Sequence, residues 1–485
     1  MAGPLAKGLP VPVLGQERDN PDKDFVFLTV NHPEDVKSRK NQRSIRSRVM
    51  RDIGRSRRTR KKCPVQVIFS LQETTLAYDR LTLTIHDECI PNSLASWPFP
   101  VELDWRSREL VHFMNSESDY VYRPFRTVWF SMALTDAGAF KLAMANASMF
   151  LAQSKDPEKF RYENCSETLE YYGQCLRLVI KQLEDPDDCL GEGVINAILG
   201  LICHDLYVGT WDRWTAHITG LRLIYKRRGG FQCLHPNLSL FASWFDVLGC
   251  AIYDKRPYFS TDISHPEPVL TEIKPLLLQN MKELVQTSAE LIPVANALER
   301  IASLAQFINV NSADPNFWSK EDDMDPLRLM GPILHILLSM PRLETDIQNI
   351  DSISYLREMT RLAMLIIMAI VKRAYSFSFN ELGLLDKKFS YLLSTYSTLF
   401  ETFFQDIQLW SILTIVALLP QSKNRNLYIT QARRQMSLLG IISANTALEK
   451  ARGMIWIDAI AGATLDQSLS HEIDARIVTD ILSLR

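Results

Sequence analysis

Apolar residues recur with a helical period over most of the chain beyond Thr127. Between Thr127 and Gln153, Phe140, Met144 and Ala147 follow one another at intervals of three or four residues, which predicts one buried, alanine-rich helix. Comparable patterns predict further helices over residues 165–184, 190–208, 212–228, 238–253, 271–288, 290–308, 328–340, 351–376, 380–404, 405–419, 426–440 and 444–463. No strand-like alternation of any length occurs after residue 70. The sequence therefore predicts an all-α, multi-helical fold.

Composition shifts along the chain predict its domain organisation. The first 24 residues contain four prolines and no periodicity, which is typical of a disordered tail, whereas FVFLTVN at residues 25–31 has the content of a short strand or anchoring peptide. Prolines interrupt the stretch before Arg126, and a polar, proline-bearing segment separates two groups of helices. The predicted segments are a disordered tail (1–24), a basic arm (25–62), a linker wrapping on the body (63–126), a first helical lobe (127–308), a polar linker (309–326) and a second helical lobe (327–485).

Length and composition predict a globular intracellular protein. At 485 residues with 46% hydrophobic residues, the chain is long enough to bury a large core. Its longest apolar run, 362–371, is about half the length that spans a bilayer and lies between Arg361 and Lys372, so it predicts a core helix and no membrane partner. The N-terminus lacks the features of a signal peptide. The eight cysteines are scattered singly, which predicts reduced, mostly buried thiols.

Positive charge is concentrated near the N-terminus. The segment Lys37 to Lys62, here called the basic run, holds thirteen Lys and Arg residues against Asp52. Since the whole chain has a formal charge of −2, this net +12 leaves −14 on the other 459 residues. Such a field suits a polyanion or an import receptor. The predicted DNA-contact or import residues are Lys37, Arg39, Lys40, Arg43, Arg46, Arg48, Arg51, Arg55, Arg57, Arg58, Arg60, Lys61 and Lys62.

Local signals predict a basic N-terminal helix within this run, although a solvated, disordered tail is the alternative. Pro33 precedes two carboxylates, as at a helix start. Ile45, Val49 and Ile53 then recur every four residues, and Gly54 ends the pattern. A helix this charged is marginal by itself, so folding on binding to a phosphate backbone or acidic partner is expected.

Two known DNA readers are not supported by the sequence. The string Asn41 to Arg48 resembles the basic region of leucine-zipper proteins, but stepping by seven from Met50 gives Arg57, Pro64 and Leu71, which is no zipper. A zinc cluster needs closely spaced cysteines, and the sequence contains no Cys-x2-Cys pair. We therefore predict no metal site.

The segment Trp211 to Phe231, WDRWTAHITGLRLIYKRRGGF, predicts a helix with a well-defined C-terminus. Three cations face the negative end of the helix dipole, and Gly229-Gly230 can take the left-handed conformation that caps it. His217 and Leu221 lie on one face of the helix, where the imidazole is expected to make a polar contact.

These residues also resemble a known family. The string His217-x-x-Gly220-Leu221, followed by Arg228-Gly229-Gly230, resembles the signature stretch of the fungal-specific transcription factor domain, an all-helical regulatory region that usually follows a binuclear zinc cluster. DAGAFKLAMANA at residues 136–147, and Trp244-Phe245-Asp246 with Arg256-Pro257, resemble other parts of it. The basic run and its leading residues resemble the N-termini of family members without a zinc cluster. The resemblance covers Phe25 to Phe259 well and the remainder of the chain loosely.

Catalytic interpretations are weaker. Cys203-His204-Asp205 places three reactive groups in sequence, but adjacent helix residues point about 100° apart, so we expect Cys203 in the core and His204-Asp205 toward the polar side. The acidic residues at 321–325 lack the pattern of a calcium loop and predict a solvated linker. No nucleotide-binding or hydrolase motif occurs. The sequence therefore predicts no catalytic residue and no cofactor.

The resemblance implies a nuclear transcriptional regulator of fungal type that controls a metabolic or biosynthetic pathway without a zinc-cluster DNA reader of its own. Its implied partners are DNA through phosphate contacts, a nuclear import receptor, and another protein or a second copy of the chain. Two alternatives remain open at this point. One is a helical co-regulator or interaction protein that does not bind DNA; the other is an enzyme with an unrecognised pocket.

Overall fold

Helices joined by turns make up the described part of the chain. The computed structural model describes residues 99–117, 126–231, 234–259, 273–320, 323–343, 350–377, 380–462 and 468–474. These residues contain no β-strand, and the all-α prediction is confirmed. Residues 79–485 form one compact unit. The predicted tail, the basic arm and most of the predicted linker lie outside the described residues, and the boundaries of the two lobes stay a prediction.

The helices agree closely with the periodic segments. They are α1 (Trp105–Ser116), α2 (Arg126–Ala133), α3 (Ala137–Lys155), α4 (Ser166–Glu184), α5 (Glu192–Val208), α6 (Trp211–Arg228), α7 (Pro236–Ile252), α8 (Pro275–Thr287), α9 (Ile292–Asn311), α10 (Asp325–Ser339), α11 (Ser352–Ala374), α12 (Leu382–Tyr396), α13 (Gln405–Leu418), α14 (Arg425–Leu438), α15 (Ala444–Arg452) and the single turn α16 (Asp458–Ala461).

Helix packing follows the apolar content of each helix. Helix α5 is apolar on nearly every side and packs against α3, α4, α6 and α7. Helix α7 continues the core by packing against α10, which in turn contacts α9 and α11. Helix α13, also apolar around its circumference, is covered by α11, α14 and α15. An all-round apolar helix is stable in water only when neighbours enclose it, so α5 and α13 fix the positions of the amphipathic helices around them.

Helix α1 lies within residues 63–126, for which the sequence predicts an irregular linker. Asp104 accepts a hydrogen bond from the Ser107 amide at 2.7 Å and caps the helix, and Leu110, Val111 and Met114 are buried against the core. The prolines that precede the segment masked this signal. A capping aspartate followed by an apolar stripe is nevertheless present in the sequence.

The single helix predicted before Gln153 is two helices. The break lies at Asp136, because its extended backbone cannot continue α2. Its carboxylate accepts a hydrogen bond from the Ala139 backbone amide at 2.9 Å and thereby caps α3. Asp136 is also the first residue of the segment 136–147 that resembles the family, and in the structure it caps α3. Tertiary contacts also hold it, since Gln182 on α4 donates to the same carboxylate at 2.6 Å.

Two helices in the second half are shorter than predicted. The segment 380–404 is helical only from Leu382 to Tyr396, and the segment 444–463 is divided into α15, which ends at Arg452, and the single turn α16. Beyond Arg452, Trp410 on α13 donates to the carbonyl of Ile455 at 2.8 Å, and Asn309 on α9 donates to the carbonyl of Trp456 at 2.9 Å. These long-range side-chain bonds satisfy backbone groups that a helix would have paired internally, so residues 455–457 remain non-helical between α15 and α16.

The predicted polar linker contributes to the core. Its Phe317 is buried and contacts Tyr375 at the end of α11, with ring centroids 5.6 Å apart. The neighbouring segment Ala289–Asn311 is long and apolar enough to cross a membrane by composition, but it packs against α8, α10 and α11. Such packing is expected of a core helix.

Candidate functional site

Only some of the predicted site residues are among the residues that the structure describes. All thirteen cations of the basic run lie outside the described residues, so their role stays a prediction. The six residues of the family signature lie on α6 and at its end. Leu221 is fully buried in the core, while Gly220 is half-buried and an added Cβ there would meet no heavy atom within 4 Å.

The C-terminus of α6 is closed by backbone bonds at the paired glycines. Gly229 has φ +77° and Gly230 has φ +120°, a range that strains any residue with a side chain. The Gly230 amide donates to the Tyr225 carbonyl at 3.0 Å, which pairs one of the last free carbonyls of the helix. Arg228 donates to the carbonyl of Leu190, so the end of α6 is also attached to the α4–α5 connection.

His217 belongs to a polar network centred on Asp205. Its Nε2 atom lies 3.2 Å from the Tyr172 hydroxyl and 3.5 Å from the Asp205 carboxylate. Arg213 approaches the same carboxylate at 2.9 Å, and the Thr210 hydroxyl donates to it at 2.8 Å. One buried carboxylate thus joins α4, α5 and α6.

The expected orientation of His204-Asp205 is wrong. Both side chains are completely buried, as is Cys203, instead of facing a polar surface. His204 Nδ1 lies 2.6 Å from the Asn146 amide oxygen, and its Nε2 lies 2.9 Å from the Tyr162 hydroxyl. Because an amide oxygen can only accept, Nδ1 carries the proton and Nε2 accepts from the tyrosine. The hydrogen bonds to Asn146 and Tyr162 compensate the cost of burying the His204 imidazole.

Burial sets the charge states of this network. It lowers the pKa of His204 to about 3, and together with the positive charge of Arg213 it lowers the pKa of His217 to about 4. Burial raises the pKa of Asp205 to about 6, against the opposing effect of Arg213. At neutral pH the network therefore holds one ion pair, Asp205 with Arg213, among neutral groups. Arg213 also lies over the Tyr172 ring, 4.7 Å from its centroid.

Asp246, in another segment that resembles the family, has an architectural role. Its carboxylate is buried and accepts hydrogen bonds from the backbone amides of Tyr258 and Phe259 at 2.8 and 2.9 Å. These bonds fix the position of the chain after α7. Burial raises the pKa of this carboxyl to about 6 despite these bonds. The motif residues thus hold connections between helices.

A second charged cluster, which none of the sequence patterns above predicts, lies at the end of α7. The charged hub consists of Asp254, Arg342, Glu358, Arg361 and Lys388. Arg361 is fully buried and donates two bonds to Asp254, at 2.7 and 2.8 Å, and two to Glu358, at 2.8 and 2.7 Å. Lys388 reaches the Asp254 carboxylate at 2.6 Å, and Arg342 donates to the Asp254 carbonyl at 2.6 Å. The hub joins the end of α7 to α11, α12 and the segment after α10.

A sequence signal for the hub did exist. Arg361 and Lys372 bracket the longest apolar run, and a cation at the border of a buried helix needs a buried partner. Lys372 is likewise buried and pairs with Glu381. The sequence could not identify the partners, because Asp254 lies 107 positions before Arg361.

An apolar cleft of about 330 Å³, including its open mouth, lies between α11, α13 and the segment 455–461. Thr414 and Trp456 line it, and the Thr414 hydroxyl and Trp456 indole nitrogen have no hydrogen-bond partner. The cleft offers no charged group, so it does not select a charged effector. Among the residues that the structure describes, no group of three or more His, Cys, Asp or Glu side chains is placed to hold a metal ion.

Comparison with known proteins identifies the family. Residues 111–373, more than half of the chain, match the fungal specific transcription factor domain. The chain belongs to this family, which is one of transcriptional regulators. The match begins after Phe25 and continues beyond Phe259, the bounds of the clearer resemblance noted above, so it includes α8 to α11. No curated protein and no solved structure matches the chain.

We expect the variant Asp254→Asn to lose about 3–5 kcal/mol of folding stability at neutral pH, since it leaves the Arg361 and Lys388 charges without their shared partner. Asparagine keeps the size of the side chain and tolerates the φ of +51° at this position. Burial opposes ionisation of Asp254, but Arg361 and Lys388 outweigh it and lower the pKa to about 2. The wild-type advantage should therefore shrink as the pH falls from about 4 to 2.

Chemical denaturation at several pH values measures this difference. The matched control is Asp351→Asn at the N-cap of α11, where asparagine caps as well as aspartate and little change is expected. Equal unfolding free energies for Asp254→Asn and the wild type at pH 7 would contradict the role assigned to the hub.

A second prediction concerns the glycine cap of α6. Gly229→Val should destabilise the fold by about 1–2 kcal/mol or more, because a β-branched side chain is strained at positive φ. Thermal unfolding measures the loss, with Gly383→Ala on α12 as control, since an added Cβ there meets no heavy atom within 4 Å. An unchanged melting temperature for Gly229→Val, combined with lost regulation, would make this segment a functional site.

Proposed function

We propose that this chain is a nuclear transcriptional regulator of fungal type, in which the basic run serves nuclear import and contacts DNA phosphates while the helical body holds protein partners or a second copy. The match to the fungal specific transcription factor domain carries this proposal. The net charge of +12 on the basic run supports a polyanion or import receptor as its partner. Control of a metabolic or biosynthetic pathway is part of the proposal.

The basic run favours phosphate contacts over reading of bases. Thirteen of its 26 residues are Lys or Arg, whereas only Asn41 and Gln42 are amide side chains suited to base edges. A regulator of this kind gains its target specificity from a partner. The family match and the cysteine spacing are equally compatible with a co-regulator that never touches DNA, and the DNA-binding measurement below separates the two.

Nuclear import should depend on the cluster from Arg57 to Lys62. This cluster has five cations in six residues, a composition that import receptors recognise. Replacing all five cations with alanine should move a fluorescent fusion of the full chain to the cytoplasm. The control removes five other cations of the run, Lys37, Arg39, Lys40, Arg43 and Arg46, and should remain nuclear. A nuclear signal that persists in the first variant would refute this import role.

Binding to duplex DNA should be strongly salt-dependent and nearly independent of sequence. Each phosphate contact contributes about 0.9 to the slope of log affinity against log salt, so a slope of several units is expected. Replacing Arg46, Arg48 and Arg51 with alanine should reduce the slope by up to about three units. Fluorescence anisotropy with two unrelated duplexes at several salt concentrations gives these slopes.

Two results of that titration would contradict the proposed mode of contact. Tight binding that distinguishes the two duplexes and survives high salt would mean that the chain reads bases itself. Absence of binding at low salt would favour the co-regulator.

A further inference from the structure

A row of exposed apolar side chains runs along α4. Leu169, Ile180 and Leu183 are 37%, 55% and 44% exposed, and Leu176 between them is half-buried. With Gly173, these positions alternate in steps of four and three residues, which is the spacing of a coiled-coil seam. We call these five residues the α4 row. It lies beside the face of α4 that packs on the body, which is formed by Tyr171, Tyr172, Cys175 and Val179.

Side-chain contacts connect α6 to α4 and to the chain after it. Tyr172 in the first half of α4 contacts His217 in the first half of α6 at 3.2 Å, and Arg228, the last residue of α6, donates to the carbonyl of Leu190 after the end of α4. Leu169 and Leu176 are three residues before and four after Tyr172, so the α4 row lies on the side of α4 that faces α6.

Helix α6 adds to this apolar surface. Gly220 follows His217 by three residues, and space remains open above it. Leu223 follows after three more and is 58% exposed. Gly220 and Leu223, here called the edge of α6, thus follow the residue through which α6 contacts α4.

Charges along α4 indicate what this surface binds. The first half of the helix carries Glu167 and Glu170, the second half carries Arg177 and Lys181, and Glu184 is its last residue. Glu167 already pairs with Arg106 on α1, whereas Glu170 and the two cations border the α4 row. A second α4 in the opposite direction would place each Glu170 against Arg177 and Lys181 of the other copy. A parallel arrangement would place like charges together.

The apolar positions fit the same antiparallel arrangement. When Gly173 lies opposite Leu176 of the second copy, Leu169 lies opposite Ile180 of that copy. Leu176 of each copy then faces the small Gly173 of the other, Leu169 and Ile180 form an apolar pair, and the two-fold axis passes between Gly173 and Leu176. A surface that complements itself about a two-fold axis is the basis of a symmetric dimer.

We propose that the α4 row is the interface of a symmetric homodimer in which two α4 helices pack antiparallel, with the edge of α6 at its border. Nineteen residues give a helix of about 28 Å. A single helix pair of this length is at the low end of stable interfaces, and Leu223 extends the contact. The inference deepens the proposed partnership with a second copy, and it is independent of DNA contact and import.

Sedimentation equilibrium of the full chain without DNA tests the interface. The wild type should approach twice the monomer mass of 55.6 kDa as concentration rises. Ile180→Asp places a carboxylate in the seam, and Glu170→Lys sets like charges against each other, so both variants should sediment as monomers. The triple variant Glu170→Lys, Arg177→Glu, Lys181→Glu reverses both sides of each charge pair and should restore the dimer.

Matched controls separate the interface from general effects. Ile442 is 90% exposed before α15, so Ile442→Asp should leave the dimer unchanged. Thermal unfolding of each variant shows that the monomers remain folded, which the exposure of the substituted residues leads us to expect.

Three results would overturn the proposal. A wild-type chain that is monomeric at every concentration would assign the surface to a different protein. Dimers that persist in both Ile180→Asp and Glu170→Lys would place the interface elsewhere. Failure of the triple variant to restore the dimer would refute the antiparallel charge pairing. None of these results alters the import or DNA measurements, so failure of the dimer and failure of the proposed function are distinguishable.

Discussion

The ion pair between Asp254 and Arg361 determines how α7 meets the helices that follow it. Removing two charges from water costs several kcal/mol per ion, and only good geometry with further hydrogen bonds offsets that cost. The hub provides both, since Glu358 pairs with the rest of the Arg361 guanidinium and Lys388 shares the Asp254 carboxylate. The left-handed backbone of Asp254 directs its carboxylate to this position. The hub thus attaches the end of α7, which packs against α10, to α11 and α12.

The network around Asp205 has the same character at another junction. It joins α4, α5 and α6 through one buried carboxylate, one arginine and neutral groups. Both networks have their central residues within the part of the chain that matches the family, whereas Lys388 lies beyond it. The signature residues of α6 therefore serve the junction between helices, through the contact of His217 and the glycine turn.

Charge is distributed unevenly between the basic run and the rest of the chain. The run carries +12 and the remaining residues −14, so a polyanion would attract the run and repel most of the body. A dimer formed through the α4 row would carry two such runs. Two weak electrostatic contacts on one particle bind a long polyanion far more tightly than either alone. The proposed dimer would thus raise the affinity for a polyanion of a basic run that has few side chains suited to contacting bases.

Local patterns in the sequence determined the helices and several of their ends. The helical period and the glycine pair after Arg228 act over three or four residues, so the sequence alone predicts them. The caps at Asp104 and Asp136 are equally local, but they were recognised only in the structure. The burial of His204 and Asp205, the pairing of Asp254 with Arg361 and the non-helical residues 455–457 were decided by tertiary structure. Each depends on partners far away in the sequence, such as Asn146, Trp410 or a residue 107 positions distant. No local period records such a pairing, because a buried polar group becomes favourable only when folding brings its partner to it.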